Sequence, residues 1–316
     1  MIPIISLVIP CFKVCNHILD VLAGIGDEVS SIYVVDDCCP ERSGDYVEEN
    51  CRDKRVTVIR NSSNLGVGGA VMAGYRAAIA DGAEVIVKID GDDQMDPSLI
   101  MKFVSPILAG EADYTKGNRF FDLEKIRAMP KMRIFWNAIL SFITKLSSGY
   151  WNIFDPTNGY TAIHKDVAMN LPFEKISKSY FFETDMLFRL NTLRAVVVDV
   201  PIDARYGDEI SNLKYSRVVG EFLWKNTINF GKRVFYNYYL RDMSIASIEL
   251  PLGLGLLLFG LCFGGFHWIG TMQTGIVNSA GTVMLSALPL ITGIQLLLAF
   301  ISQDIRDIPK RPITRK

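Results

Sequence analysis

Hydrophobic and polar positions alternate between two rhythms along the first hundred residues. Short apolar runs, Ile4-Ile5-Ser6-Leu7-Val8-Ile9-Pro10, Ser31-Ile32-Tyr33-Val34-Val35, Val56-Thr57-Val58-Ile59 and Glu84-Val85-Ile86-Val87-Lys88-Ile89, are rich in β-branched residues and predict strands, the first and last of them buried. Helical stretches fall between them, one from about Asn16 and one opening at Asn64-Leu65-Gly66-Val67-Gly68-Gly69-Ala70 and running to about Ala80. Strand, helix, strand at this rhythm predicts a right-handed, doubly wound, mainly parallel sheet. Three of the strands end in polar or charged residues, at Asp36-Asp37, Arg60-Asn61 and Asp90, which predicts a nucleotide-sized crevice along one sheet edge.

The pattern changes twice further on. Lys131 to Lys145 has a helical period, with Ile134, Phe135, Ala138, Ile139, Phe142 and Ile143 on one face and Lys131, Arg133, Asn137, Ser141 and Lys145 on the other. That fits a core helix or a helix lying in a membrane interface. From Lys214 to Arg241 bases (Lys225, Lys232, Arg233, Arg241) mix with aromatics (Phe222, Trp224, Phe230, Phe235, Tyr236, Tyr238, Tyr239), a juxtamembrane signature. From Leu250 to Gln303 there is no Asp, Glu, Lys or Arg, room for two spans, Leu250 to Gly270 and about Thr282 to Ser302. The predicted organisation is therefore an α/β domain over 1–213, an amphipathic segment over 214–247, two transmembrane helices within 248–303 and a basic tail over 304–316.

Composition adds limits. The net charge of -1 and a pI near 6.3 argue against nucleic acid as the main partner. A mean hydropathy of +0.22 comes mostly from the two apolar stretches. Met1-Ile2-Pro3 leads into a strand without a basic n-region, so no signal peptide is expected. Six cysteines without CxxC or Cys/His spacing read as free thiols in a reducing cytosol. Bases flank both spans (Arg306, Lys310, Arg311, Arg315 and Lys316 after the second), while the connector Thr271 to Gly281 has none. The positive-inside rule then places both termini and the α/β domain in the cytosol, in a multi-pass protein of the inner membrane. Gly253, Gly255, Gly260, Gly264 and Gly265 allow close helix packing, which leaves room for a homo-oligomer.

The chemistry centres on Asp90-Gly91-Asp92-Asp93-Gln94-Met95-Asp96-Pro97. Carboxylates two apart on an extended backbone point to the same side, at the end of a strand where open α/β sheets bind ligands. Hard oxygen donors suit Mg²⁺ or Mn²⁺ held together with substrate phosphates. A plainer reading is a polar loop capping the next helix at Asp96-Pro97. The Gly-rich stretch lacks the P-loop ending and is not GxGxxG; it is either a phosphate-facing helix start or a tight turn with close packing.

Taken in order, Val8-Ile9-Pro10-Cys11-Phe12, Val34-Val35-Asp36-Asp37, Asn64-Leu65-Gly66 and Asp90-Gly91-Asp92-Asp93-Gln94 resemble the motifs of family-2 glycosyltransferases. More narrowly, with Gly117-Asn118-Arg119, Asp155-Pro156-Thr157-Asn158-Gly159-Tyr160, Phe182-Glu183-Thr184-Asp185 and Arg205-Tyr206-Gly207 with Ser211, the chain resembles dolichyl- and polyprenyl-phosphate glycosyltransferases, including bacterial glucosyltransferases with two spans. The resemblance implies a GT-A fold and inverting transfer of a sugar from a nucleotide-diphosphate sugar, UDP-linked by preference, to polyprenyl (undecaprenyl) phosphate for cell-surface glycosylation. It implies donor contacts from Pro10, Phe12, Asp37, Asn64, Gly66, Asp90 and Asp92, with metal at Asp90, Asp92 and Gln94. Arg119 and Arg133, backed by Ser211 and Lys214, are the expected acceptor-phosphate cations, because Arg forks suit phosphate. Asp155 and Asp185 are the carboxylates expected to assist the attack. Lys13-Val14-Cys15-Asn16-His17 departs from the family, which usually has acidic residues there, and leaves the donor open. Alternatives are a dolichyl-phosphate-mannose-synthase-like enzyme using GDP-mannose and a catalytically inactive sugar-nucleotide binding protein anchored in the membrane. A processive polysaccharide synthase is disfavoured by the lack of a QxxRW motif.

Overall fold

A computed structural model describes residues 3–121, 131–203 and 215–315. They divide into two compact units, residues 1–231 with 309–316, and residues 232–308.

The first unit is built on a seven-stranded sheet among the described residues, in the order β3-β2-β1-β4-β6-β5-β7. Its strands are β1 (Ile5–Cys11), β2 (Ser31–Asp36), β3 (Val56–Arg60), β4 (Val85–Lys88), β5 (Tyr114–Asn118), β6 (Thr161–His164) and β7 (Val197–Pro201). The four apolar runs of the first hundred residues form β1 to β4, within a residue or two of their expected limits. All are parallel neighbours, β1 between β2 and β4, so the sheet changes direction at β1 and opens a crevice beyond its carboxyl edge. Strand β6 breaks the pattern, pairing antiparallel with both β4 and β5, while β7 returns parallel to β5. The amino end of β6 therefore lies at the carboxyl ends of β4 and β5, and its register sets Thr161 opposite both Lys88 and Lys116.

Helices α1 (Ile18–Ala23), α2 (Ser43–Asn50), α3 (Val67–Ala80) and α4 (Ile100–Leu108) fill the early crossovers. Ile100, Phe103, Val104 and Ile107 form the buried stripe of α4, and Phe103 stacks on Tyr160 with ring centroids 3.9 Å apart. Asp96 accepts a bond from Ser98 N at 3.0 Å, so the expected cap at Asp96-Pro97 is present. Helices α5 (Lys131–Ser148), α6 (Lys165–Asn170), α7 (Phe182–Leu193) and α8 (Tyr215–Phe235) follow.

Two of these helices turn their polar sides inward. On α5, Ser141, Thr144, Ser147 and Ser148 are buried, whereas Phe135 and Trp136 are each 56% exposed and Phe142 is 51% exposed. On α8, Asn226 and Asn229 are buried while Trp224 is exposed. Ser147 Oγ and Asn226 Oδ1, 2.5 Å apart, tie the two helices together. In water an arrangement that presents aromatics to solvent is unfavourable; it suits a surface meeting an apolar phase. The C-terminal stretch also returns to this unit, where Ile313 N and Thr314 N donate to the buried carboxylate of Asp113 at 2.9 and 3.1 Å.

The second unit holds α9 (Ala246–Thr274) and α10 (Ala280–Arg306), two helices long and apolar enough to cross a membrane. Gly253, Gly260 and Gly264 face α10, where an added Cβ would strike Gly293 O, Leu290 and Ser286, so these glycines bring the two spans together. At the end of this unit Arg233 and Tyr238 both bond Asp304: the guanidinium reaches its two oxygens at 2.6 and 2.9 Å, and the phenol donates at 2.7 Å. All three are at least 95% buried, so the charges are mutually neutralised.

Candidate active site

The carboxyl ends of β4 and β5 and the amino end of β6 converge on one cluster. Asp90 follows β4, with its side chain 30% exposed and its Oδ1 2.7 Å from Lys88 Nζ. Lys88 is 1% exposed and also lies 3.6 Å from Glu183 Oε1, on the first turn of α7. Gly159, just before β6, is required for space: a Cβ there would collide with Lys88 Nζ and Asp90 Oδ2. Asp92 Oδ1 accepts from Gln94 N at 3.1 Å, a local turn two residues beyond Asp90.

Electrostatics reinforce this arrangement. Burial alone would pull the Lys88 ammonium down, but the Asp90 and Glu183 carboxylates outweigh it and raise its pKa. Burial raises Glu183, opposed by Lys88 and Lys116. Lys116 is wholly buried; burial lowers it to about 8, with Glu183 and Asp155 working against the shift, and its ammonium bonds Asn158 O. Burial lifts Asp199 on β7 to about 6 despite bonds from Phe154 N and Asn118 Nδ2.

The second half of the cluster is an ion pair. Arg119, just beyond β5, grips Asp155 through Nε–Oδ2 at 2.7 Å and Nη2–Oδ1 at 3.0 Å, and its backbone N–H adds a longer bond. Asp155 is buried and the Arg119 side chain is 29% exposed. Phe120 and Phe154, the neighbours of the pair in sequence, meet edge to face at 5.4 Å.

The remaining expected residues are placed differently. Phe12 is 43% exposed beyond β1, next to Pro10. Asp37 is buried and accepts from Asn61 Nδ2, Leu65 N and Gly66 N at 2.7 to 2.9 Å, holding the loop that starts α3. Asn64 Oδ1 also accepts from Gly66 N at 3.1 Å. Gly66 has φ +79°, and a Cβ there or at Gly68 would run into the backbone of Ser177–Lys178. Gly68 N in turn donates to Lys178 O at 3.0 Å. These glycines allow that close approach of the two backbones. Asp185 is not part of the Asp90 cluster: Oδ2 accepts from Ser177 N and Oδ1 from Asn229 Nδ2, both at 2.9 Å. Ser211, Lys214 and the Arg133 side chain lie outside the described residues, as does Arg205-Tyr206-Gly207.

Lys88, Lys116 and Glu183 had no assigned role in the sequence. The first two were visible as cations inside otherwise buried strands; Glu183 sat beside the more conspicuous Asp185.

An aspartate pair beyond β4 and an arginine–carboxylate pair beyond β5 agree with what the chain is similar to. Residues 6–171 match the model for Glycosyl transferase family 2. The chain belongs to glycosyl transferase family 2. It is 30% identical over 199 residues to the undecaprenyl-phosphate mannosyltransferase of Micrococcus luteus, covering 62% of this chain and 81% of that one. It is 29% identical over 189 residues to the UDP-N-acetylglucosamine–dolichyl-phosphate N-acetylglucosaminyltransferase of Methanococcus voltae, covering 60% and 70%. Among solved structures it resembles Mycobacterium tuberculosis glucosyl-3-phosphoglycerate synthase in complex with Mn²⁺, UDP and phosphoglyceric acid. The TM-score is 0.55 at 16% identity, covering 73% of this chain and 78% of that one. That likeness establishes the GT-A type of fold. The protein is a glycosyltransferase, and the expected fold and family both hold.

Does the aspartate cluster fit a metal? Among the described residues no three His, Cys, Asp or Glu side chains converge as a complete cage. Mg²⁺ and Mn²⁺ bound with a substrate diphosphate need only one or two carboxylates from the protein. Asp90, its side chain 30% exposed at the strand end, and Asp92 supply carboxylates of that kind. The residues fit the ion.

Proposed function

We propose that this family-2 glycosyltransferase moves a sugar from a nucleotide-diphosphate sugar, preferentially UDP-linked, to polyprenyl phosphate at a membrane surface, with inversion at the anomeric carbon. The observation that carries the reading is the Asp90–Asp92 edge beside the Arg119–Asp155 pair, on a catalytic unit whose α5 and α8 present aromatics outward and whose chain continues into two apolar helices. Names of two relatives, a mannosyltransferase and an N-acetylglucosaminyltransferase with polyprenyl- or dolichyl-phosphate acceptors, support the acceptor class and leave the sugar open.

Asp90 and Asp92, with Gln94, hold the metal in this reading, and bound Mg²⁺ or Mn²⁺ would neutralise charge on the leaving diphosphate. Pro10 and Phe12 border the nucleoside, and Asp37 shapes its pocket through the Asn64–Gly66 loop. The acceptor is a phosphate monoester with a second pKa of about 6, largely ionised at neutral pH and a competent nucleophile without a strong base. Arg119, oriented by Asp155, holds that phosphate in this reading; Arg133, Ser211 and Lys214 are proposed as further acceptor contacts. Asp155 then acts through Arg119. The positive-inside pattern orients the catalytic unit to the cytosol, where nucleotide sugars are made.

The test is release of nucleoside diphosphate by purified full-length protein from a panel of UDP- and GDP-sugars, with and without undecaprenyl phosphate. Release that requires the lipid and yields a lipid-linked sugar supports the reading. Release of equal rate without lipid, or none with any donor, sinks it.

A further inference from the structure

Lys88 is a charged group whose place in this site no step above requires. It stands at the last position of a central strand between Val87 and Ile89, both fully buried, where an aliphatic side chain is the ordinary choice. A buried ammonium is strongly disfavoured unless paired, and its pairing is specific. Asp90 Oδ1 lies at 2.7 Å and Glu183 Oε1 at 3.6 Å. One carboxylate comes from the strand end that carries the aspartate pair and the other from the first turn of α7. Thr161 sits opposite Lys88 in the sheet, and Gly159 has no Cβ because the ammonium and Asp90 occupy that space. Two carboxylates face this ammonium, so Asp90 already has a partner.

We propose that Lys88 is a positioning residue that pre-orients Asp90 and keeps the site from capturing a divalent cation until a nucleoside diphosphate arrives with it. The inference rests on the reading of Asp90 and Asp92 as metal ligands. With its Oδ1 engaged by the ammonium, Asp90 attracts a free divalent cation weakly. A nucleoside diphosphate adds the missing negative charge, and the metal then binds as the metal–nucleotide complex. Glu183 gives the ammonium a second partner when Asp90 turns to the ion. The arrangement protects the site from non-productive occupancy and couples metal uptake to donor binding.

The experiment measures Mn²⁺ alone, without nucleotide, binding to the full-length protein in detergent, by the loss of the free Mn²⁺ paramagnetic resonance signal. Lys88→Met keeps side-chain length and removes the charge. It is expected to bind Mn²⁺ at least about tenfold more tightly than the parent, and adding Asp92→Asn is expected to abolish the gain. Equal affinity in a folded Lys88→Met protein overturns the proposal. If that variant does not fold, Glu183→Gln leaves Asp90 as the ammonium's sole carboxylate partner. Mn²⁺ binding should then weaken severalfold, and unchanged or tighter binding overturns the proposal. A parent enzyme that turns over fully in chelator would remove the metal assignment and Lys88's role with it. A chelator-sensitive parent with unchanged Mn²⁺ affinity in Lys88→Met removes only the latter.

Discussion

Replacing Asp185 tests whether a carboxylate expected to assist the attack is instead structural. Its two oxygens accept from Ser177 N and Asn229 Nδ2 at 2.9 Å each, it is 4% exposed, and Arg189 Nε lies 3.7 Å away. Asp185→Ala removes two charge-assisted hydrogen bonds, each worth about 1.5–3 kcal/mol, and leaves their donors in a buried junction. Allowing for partial relaxation, a loss of about 3 kcal/mol is expected. For a unit of this size that corresponds to a fall in Tm of about 6–12 °C. Asp185→Asn should cost about 1 kcal/mol, because the Asn229 amide can turn over and keep the number of hydrogen bonds. It loses mainly the charge near Arg189 and the helix start. The assay is a thermal melt in detergent beside a pH–rate profile corrected for folded protein. Turnover per folded molecule should fall at most a few-fold in Asp185→Asn, and the acidic limb should stay with the acceptor phosphate near ~6. An Asp185→Ala protein that melts within 2 °C of the parent, or an Asp185→Asn protein missing a limb the parent shows, would refute the reasoning and make Asp185 a base.

Activity should disappear in EDTA and return with Mg²⁺ or Mn²⁺, and Asp92→Asn should lose most of it; full turnover in chelator contradicts the metal assignment. Arg119→Ala leaves Asp155 buried without its guanidinium, so a loss of about 3 kcal/mol is expected together with a higher KM for polyprenyl phosphate. Calorimetry should find donor binding little changed, and an equal loss would move Arg119 to the diphosphate side. Burial holds Lys116 at about 8 in the folded protein against 10.5 for the free side chain. The unfolded chain therefore binds more protons between those values, and stability rises with pH across that window, the full penalty of about 3 kcal/mol being present below pH 8. Lys116→Met should flatten that rise in denaturant titrations from pH 7 to pH 10.5, and a slope equal to the parent's rules the argument out. A cysteine placed at Gln273 should be labelled by an impermeant reagent from outside the cell and one at Arg315 should not; the reverse would put the catalytic unit on the wrong side of the membrane for its donor.

Much of this protein is legible without coordinates because its signals are local. Apolar runs of β-branched residues make strands, and β1 to β4 appear where the pattern puts them, although the edge strand β3 is only partly buried. The charge-free stretch from Leu250 to Gln303 can only be two long apolar helices, since Asp, Glu, Lys and Arg are absent over twice the length of a span. The aspartate pair follows from strand polarity alone. What only the tertiary structure decided depends on pairing between distant segments. Nothing local says that β6 runs antiparallel between β4 and β5, yet that reversal brings Asp155 to Arg119 and Gly159 to Asp90. Helical periodicity divided α5 into two faces but could not say which one the protein covers; the buried serines and exposed aromatics answer that through contacts with α8. Between Glu183 and Asp185 the sequence offers two carboxylates on one helical turn. Two residues are about 200° of helix rotation, so one meets Lys88 and the other Ser177 and Asn229, and only the docking of α7 determines which.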